Sequence, residues 1–196
     1  MSEQAFITRR FGDAEVKVPE SALFRAWLEK EIGQPSIDIR SVPLVGQIWA
    51  GQGGKNGGLA RDIDGRPYWL ILPPADVASF EDLEYGGYGV DEPGAKCEFD
   101  GLANTRALCE SKTDHPAAQC SIGLIYEGHG DFYLPSKRES ATLYANVPEE
   151  FEKIRHQTST QYSADYAWNQ LFVDGYQGYW FKVIKARVRL VRRLNA

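Results

Sequence analysis

The sequence predicts an α+β protein with small twisted antiparallel sheets, short helices and long loops, preceded by a small hairpin and helix. Three observations carry that expectation. Strand-like stretches are short and bounded by turn dipeptides, helical spacing with end signals appears in only a few segments, and from Gly46 onward short elements alternate with long connections. At 196 residues, 43% hydrophobic and 12% aromatic, the chain can bury a sizeable core.

In chain order, AFITRRFGDAEVKV alternates around Phe6, Phe11, Val16 and Val18 with a Gly12-Asp13 turn, which predicts a hairpin. After Pro19, Leu23, Ala26, Trp27 and Ile32 share one helical face that stops at Gly33. Such a helix is not stable alone, so it packs on the rest of the chain or on another subunit. QPSIDIRSVP reads as a linker, which divides the chain into an attachment or oligomerisation segment, residues 1–45, and a main domain, residues 46–196.

The main domain begins with an apolar strand at Ile48 and Trp49, a glycine loop, and a strand at Tyr68 to Leu72 closed by Pro73-Pro74. The glycine loop lacks the spacing and following helix of a phosphate cradle, and YGGYG at residues 85–89 reads as a flexible turn. Residues 100–125 carry helical spacing. Ser136 and Glu139 form a capping box that opens a helix after the extended DFYLP, and a short helix is expected from Pro148 to about Ile154. Strands are then expected at Tyr162 to Asp165, Ala167 to Val173, Tyr179 to Ile184 and Arg187 to Leu194, with turns at Asp174-Gly175 and Gly178.

Composition and spacing also narrow the chemistry. With 22 basic against 27 acidic side chains the net charge is −5, which disfavours a nucleic-acid partner. No segment reaches the roughly 18 to 20 apolar residues of a membrane span, and the first residues do not read as a signal peptide. Synthesis in the cytoplasm without membrane insertion is the expectation. Cys97, Cys109 and Cys120 are expected to be reduced and mostly buried, and His115, His129 and His156 to be ordinary surface or loop residues. No metal cluster, cofactor motif, nucleophile-base pair or paired-carboxylate spacing stands out, so no catalytic, metal or cofactor residue is assigned and a non-enzyme is expected.

Three segments in order, GQIWAGQGGKNGGLARDIDGRPYWLIL, GHGDFYLPSKRESATLYAN and YAWNQLFVDGYQGYWFKVIKARVRLVRRL, resemble the Lcl-type domain of bacteria and phages, especially its phage and prophage members. The likeness spans about residues 46–194 and implies a C-type-lectin-like fold. The YWSS segment usual before the terminal AW strand is QYSADYAW here. The calcium motifs of sugar-binding C-type lectins and the copper-binding cysteine pair of formylglycine-generating enzymes have no counterpart, so neither activity carries over.

What the resemblance implies is a binding protein whose terminal hairpins carry function on their outward positions and loops. The expected ligand-binding residues are Asn169, Leu171, Val173, Asp174, Tyr176, Gln177, Tyr179 and Trp180; the alternative for Leu171, Tyr176, Tyr179 and Trp180 is that they complete the core. Tyr and Trp suit recognition because each brings a large rigid surface at low entropy cost. The arginines of RVRLVRR are expected to pair acidic loops such as Asp62, Asp64 or Asp131 and hold the closing strand.

The expected function is a phage- or prophage-encoded binding protein, associated with the virion or tail, that recognises a host surface ligand. Residues 1–45 would attach it to other virion proteins, and a homo-oligomer is expected. The alternative is an intracellular inhibitor of a host defence protein such as a CRISPR effector or nuclease.

Overall fold

A computed structural model describes residues 6–11, 14–19 and 41–196, and divides the chain into a unit spanning Met1–Ser41 and a second spanning Val42–Ala196. In the first unit, β1 (Phe6–Phe11) and β2 (Ala14–Pro19) pair antiparallel, with Phe6 opposite Pro19 and Phe11 opposite Ala14. That is the hairpin predicted from the alternation. The helix expected after Pro19 and linker residues 34–40 lie outside the described residues.

The second unit is mixed α/β, with curled antiparallel sheets and few helices. Its first sheet contains β3 (Ile48–Trp49), β4 (Gly54–Arg61) and β5 (Pro67–Leu72), joined by a strand from the end of the chain, β11 (Arg192–Asn195), in the order β11-β5-β4-β3. The second sheet has the order β6-β10-β7-β8-β9, from β6 (Ser79–Leu83), β7 (Arg155–Gln161), β8 (Tyr166–Leu171), β9 (Gln177–Phe181) and β10 (Ala186–Arg189). All its pairings are antiparallel except the short β10–β7 contact. Four helices complete the described unit: α1 (Ala75–Ala78), α2 (Gly101–Glu110), α3 (Pro116–Gln119) and α4 (Lys137–Asn146).

Much of the stretch read as a glycine loop is β4. Its glycines are needed for packing: a Cβ on Gly57 would stand 2.9 Å from Leu143 of α4, and at Gly58 (φ +103°) the Asn146 amide fills the place of a side chain. The strand bulges between Asn56 and Gly58, and α4 settles against it through a bond from Asn146 Nδ2 to the Gly57 carbonyl. The YGGYG segment likewise differs from a free turn. Gly86 and Gly87 have positive φ and lie where a Cβ would strike residues 114–116, so the loop closes tightly over His115.

The capping box at α4 is present as predicted, with the Ser136 side chain accepting from the Glu139 amide and the Glu139 carboxylate from the Ser136 amide. Beyond it the expected short helix is a single 3₁₀ turn, Pro148–Glu150, because Phe151 turns extended and enters the core. The core gathers Leu70, Leu72, Tyr133, Leu143, Phe172 and Val191 in one cluster and Phe132, Leu134, Val188 and Leu190 in another. Each fully buried aliphatic side chain contributes on the order of 1.5 to 3 kcal/mol.

Further corrections concern the last third. Residues 162–165 form a bend, and the strand before it is RHQTSTQ (β7), buried between β10 and β8. Gly178 lies within β9, while the turn at Asp174-Gly175 is present. The single strand expected over Arg187 to Leu194 is broken at Leu190-Val191, because β10 and β11 belong to different sheets.

Two histidines contradict the surface reading. His115 is fully buried, contacting the Tyr85 carbonyl and Glu92, and His156 is 3% exposed beside Phe151 and Phe172. The three cysteines are free but only half-buried: Cys97 lies in the loop before α2, Cys109 in the last turn of α2 and Cys120 just past the end of α3.

Candidate functional site: an aromatic face on the second sheet

Strands β8 and β9 pair with Tyr166 opposite Phe181, Trp168 opposite Tyr179 and Gln170 opposite Gln177. Because successive side chains alternate, these six share one face of the sheet. The bend after β7 adds Tyr162, whose ring lies flat on that of Tyr179 at 4.1 Å with 5° between planes. Trp168 stands edge-on to both at 5.5 and 5.6 Å, and Tyr166 packs on Phe181 at 4.5 Å. Despite these contacts Tyr162 and Tyr179 are each 48% exposed, and Phe181 is 45% exposed.

Two devices hold this face in shape. On one side the Lys137 ammonium sits 3.6 Å above the Trp168 ring and 2.7 Å from Glu98, while Gln177 donates to the Lys137 carbonyl at 2.7 Å. At the other side the loop after β6 brings Tyr88 to 6.1 Å from Phe181. That loop is fastened from below by Lys182, whose fully buried ammonium donates to the Gly87 and Val90 carbonyls and to Gln161. Burial pushes the Lys182 amine down to about 8 against the pull of Glu92, Asp91 and Asp165.

The predicted site residues are divided by this geometry. Gln177 and Tyr179 lie on the aromatic face, but Asn169, Leu171 and Trp180 point to the opposite side of the sheet. Asn169 is only 2% exposed, which removes it from any surface; its amide donates to the Ala167 carbonyl. Trp180 is covered by the Arg155 guanidinium at 3.9 Å, and Tyr176 leans edge-on against it at 6.1 Å. Val173, Asp174 and Tyr176 occupy the β8–β9 turn, where the Asp174 carboxylate accepts from the Tyr176 amide at 2.9 Å.

Residues that sequence reasoning left out complete the face: Tyr88, Tyr162, Tyr166, Trp168 and Phe181. The signal for three of them was the period of two through β8 and β9, which separates the neighbours Tyr179 and Trp180 onto opposite sides.

The arginines turn inward. Arg187 bridges Glu81 and Glu152, Arg192 pairs with Asp131, and Arg193 with Asp100. Arg189 donates to the carbonyls of Pro73 and Pro74 and lies 6.0 Å from the Phe151 ring centre, and its burial lowers it to about 10. Asp131 is thus a partner as expected. Asp62 and Asp64 are not: Asp62 accepts from the amides of its own turn and Asp64 pairs with Arg66.

Among the described residues no group of three or more His, Cys, Asp and Glu side chains is placed to hold a metal, and no helix is long and apolar enough to cross a membrane. No protein-family model matches the chain, and no curated protein matches it.

Proposed function

We propose that the chain is a non-enzymatic binding protein that meets its partner with the aromatic face of β8 and β9. The observation that carries this reading is the half-exposed stack of Tyr162 on Tyr179, braced by Trp168. Rings fixed by one another lose little freedom on binding, and an exposed tyrosine pairs apolar area with a hydroxyl that can donate and accept. The resemblance to Lcl-type domains, with its C-type-lectin-like fold of small sheets and long loops, supports a phage or prophage origin. It also supports a place on a virion or tail, where the face would recognise a host surface ligand.

The test combines particle proteomics with binding to susceptible cells. The protein should be found in purified particles, and Tyr162→Ala with Tyr179→Ala should abolish cell binding while the melting temperature stays within a few degrees. A folded double variant that binds normally removes the aromatic face from consideration. Absence from particles, together with capture of a defined host complex from lysate, would replace virion-borne recognition with intracellular inhibition.

A further inference from the structure

A second concave surface lies on the first sheet, bordering the aromatic face at Glu98, which pairs with Lys137 on one side and Arg138 on the other. Between the β4–β5 hairpin and the outer side of α4 runs a groove of about 640 Å³, within the range of small-molecule sites. Leu59, Pro67 and Ala141 supply apolar walls, and the half-buried Phe99 closes part of it. Two guanidinium groups gather on that one ring, Arg61 at 5.1 Å and Arg138 at 5.4 Å from its centroid. Both arginines are exposed.

The charges around the groove are unevenly spent. Glu139, in its lining, is already satisfied by the hydroxyls of Tyr68 and Tyr133 and the amides of Gly101 and Ser136. Glu98 reaches only Nε of Arg138, at 3.3 Å, and gives its other oxygen to Lys137 at 2.7 Å. The terminal nitrogens of Arg138 are therefore left over, and among the described residues Arg61 has no carboxylate at ion-pair distance. Guanidinium forks suit the paired oxygens of carboxylate or phosphate, and stacking on Phe99 fixes them in advance.

We propose that this groove binds a small organic anion with an aromatic body, its oxygens held by Arg61 and Arg138 and its ring laid along Phe99 and Pro67. The shared chemistry is a planar ring bearing a carboxylate or a phosphate ester. The site is separate from the aromatic face, so it stands whether or not the host-recognition reading does.

The test is titration of the full chain with phenyl phosphate, benzoate, inorganic phosphate and benzyl alcohol, followed by amide chemical shifts. Phenyl phosphate or benzoate should bind at least tenfold more tightly than inorganic phosphate and benzyl alcohol, with shifts at residues 59–67 and 138–145. Whichever of the two binds better identifies the anionic group. Arg61→Ala with Arg138→Ala should lower that affinity at least tenfold in a protein of unchanged melting temperature; Phe99→Leu, which removes the ring both guanidiniums stack on, should lower it by a larger factor than it lowers the affinity for inorganic phosphate. The proposal is overturned if ring and anion together bind no better than either alone, or if the folded double arginine variant binds as the parent does.

Discussion

Around Glu139 every carboxylate oxygen has two donors within 3.1 Å, in a pocket of the core where the residue is 1% exposed. Around Tyr179 the rings of Tyr162, Tyr166 and Trp168 crowd together with nearly half of the central residue in water. The charged group, which by residue type invites a chemical role, is wholly occupied in joining α4, β5, the first residue of α2 and the segment before α4. The aromatic groups, which by residue type belong in a core, are the ones left facing outward. Residue type alone assigns both regions wrongly; what separates them is whether the neighbours satisfy each group.

The largest expected effect comes from emptying the satisfied centre. Glu139→Ala would strand the hydroxyls of Tyr68 and Tyr133 and deprive Arg193, 3.9 Å away, of one carboxylate. Removing one member of a buried paired set costs about 3 to 5 kcal/mol, or roughly 10 °C in melting temperature for a domain of this size. A loss under about 3 °C would place Glu139 with ordinary surface acids and dissolve the contrast.

Next in size is a pH effect at His156. Burial, with Arg187 and Arg189 nearby, lowers this imidazole from its ordinary 6.5 to about 4. Between those values the unfolded chain binds the proton and the folded chain does not, so stability is full above pH 6.5 and falls as pH drops toward 4. The contribution is on the order of 3 kcal/mol. Urea unfolding of the parent and of His156→Phe at pH 7 and pH 4 measures it: the variant should lose less on acidification, and equal losses would exclude His156 as a source.

The smallest stability effect is expected on the exposed side. Tyr179→Ala removes ring contacts worth about 0.5 to 1.5 kcal/mol each at most, and half of the side chain was in water already. With three such contacts, chemical denaturation should register about 1.5 to 2 kcal/mol, below the loss expected at Glu139. A loss as large as that of Glu139→Ala would mean that the stack holds the sheet together and is not available to a partner.

Local signals were the legible ones. The hairpin at residues 6–19, the strand stopped by Pro73-Pro74, the Ser136–Glu139 box and the Asp174-Gly175 turn are each written within a few consecutive residues. Strand β7 was hidden because RHQTSTQ has no apolar alternation; its polar side chains are buried by bonding to other strands and loops, as Thr158 does to the Trp168 carbonyl and Gln157 to the carbonyls of Leu83 and Ile184. Strand β4 was hidden because its glycines read as a loop, whereas they serve close approach to α4. Of the expected site residues, Gln177 and Tyr179 fall on the aromatic face, whereas Trp180 was grouped with them against the pleat. Tyr162 reaches the face through the bend joining β7 to β8, and Tyr88 only through folding of a loop distant in sequence, which no local pattern records.

The placing of β11 beside β5 bears on how the molecule is made. Arg192 bonds to Gln52 across 140 residues of chain, and Val191 exchanges backbone bonds with Tyr133. On a ribosome the first sheet therefore waits, one edge unpaired, until nearly all of the unit has been synthesised. Long-range closure of this kind slows folding and exposes a sticky strand edge in the meantime. Loops between the two partners can lengthen at little further cost, because loop entropy grows only with the logarithm of length. Folding speed and tolerance to insertion are thus set by the same four-residue strand.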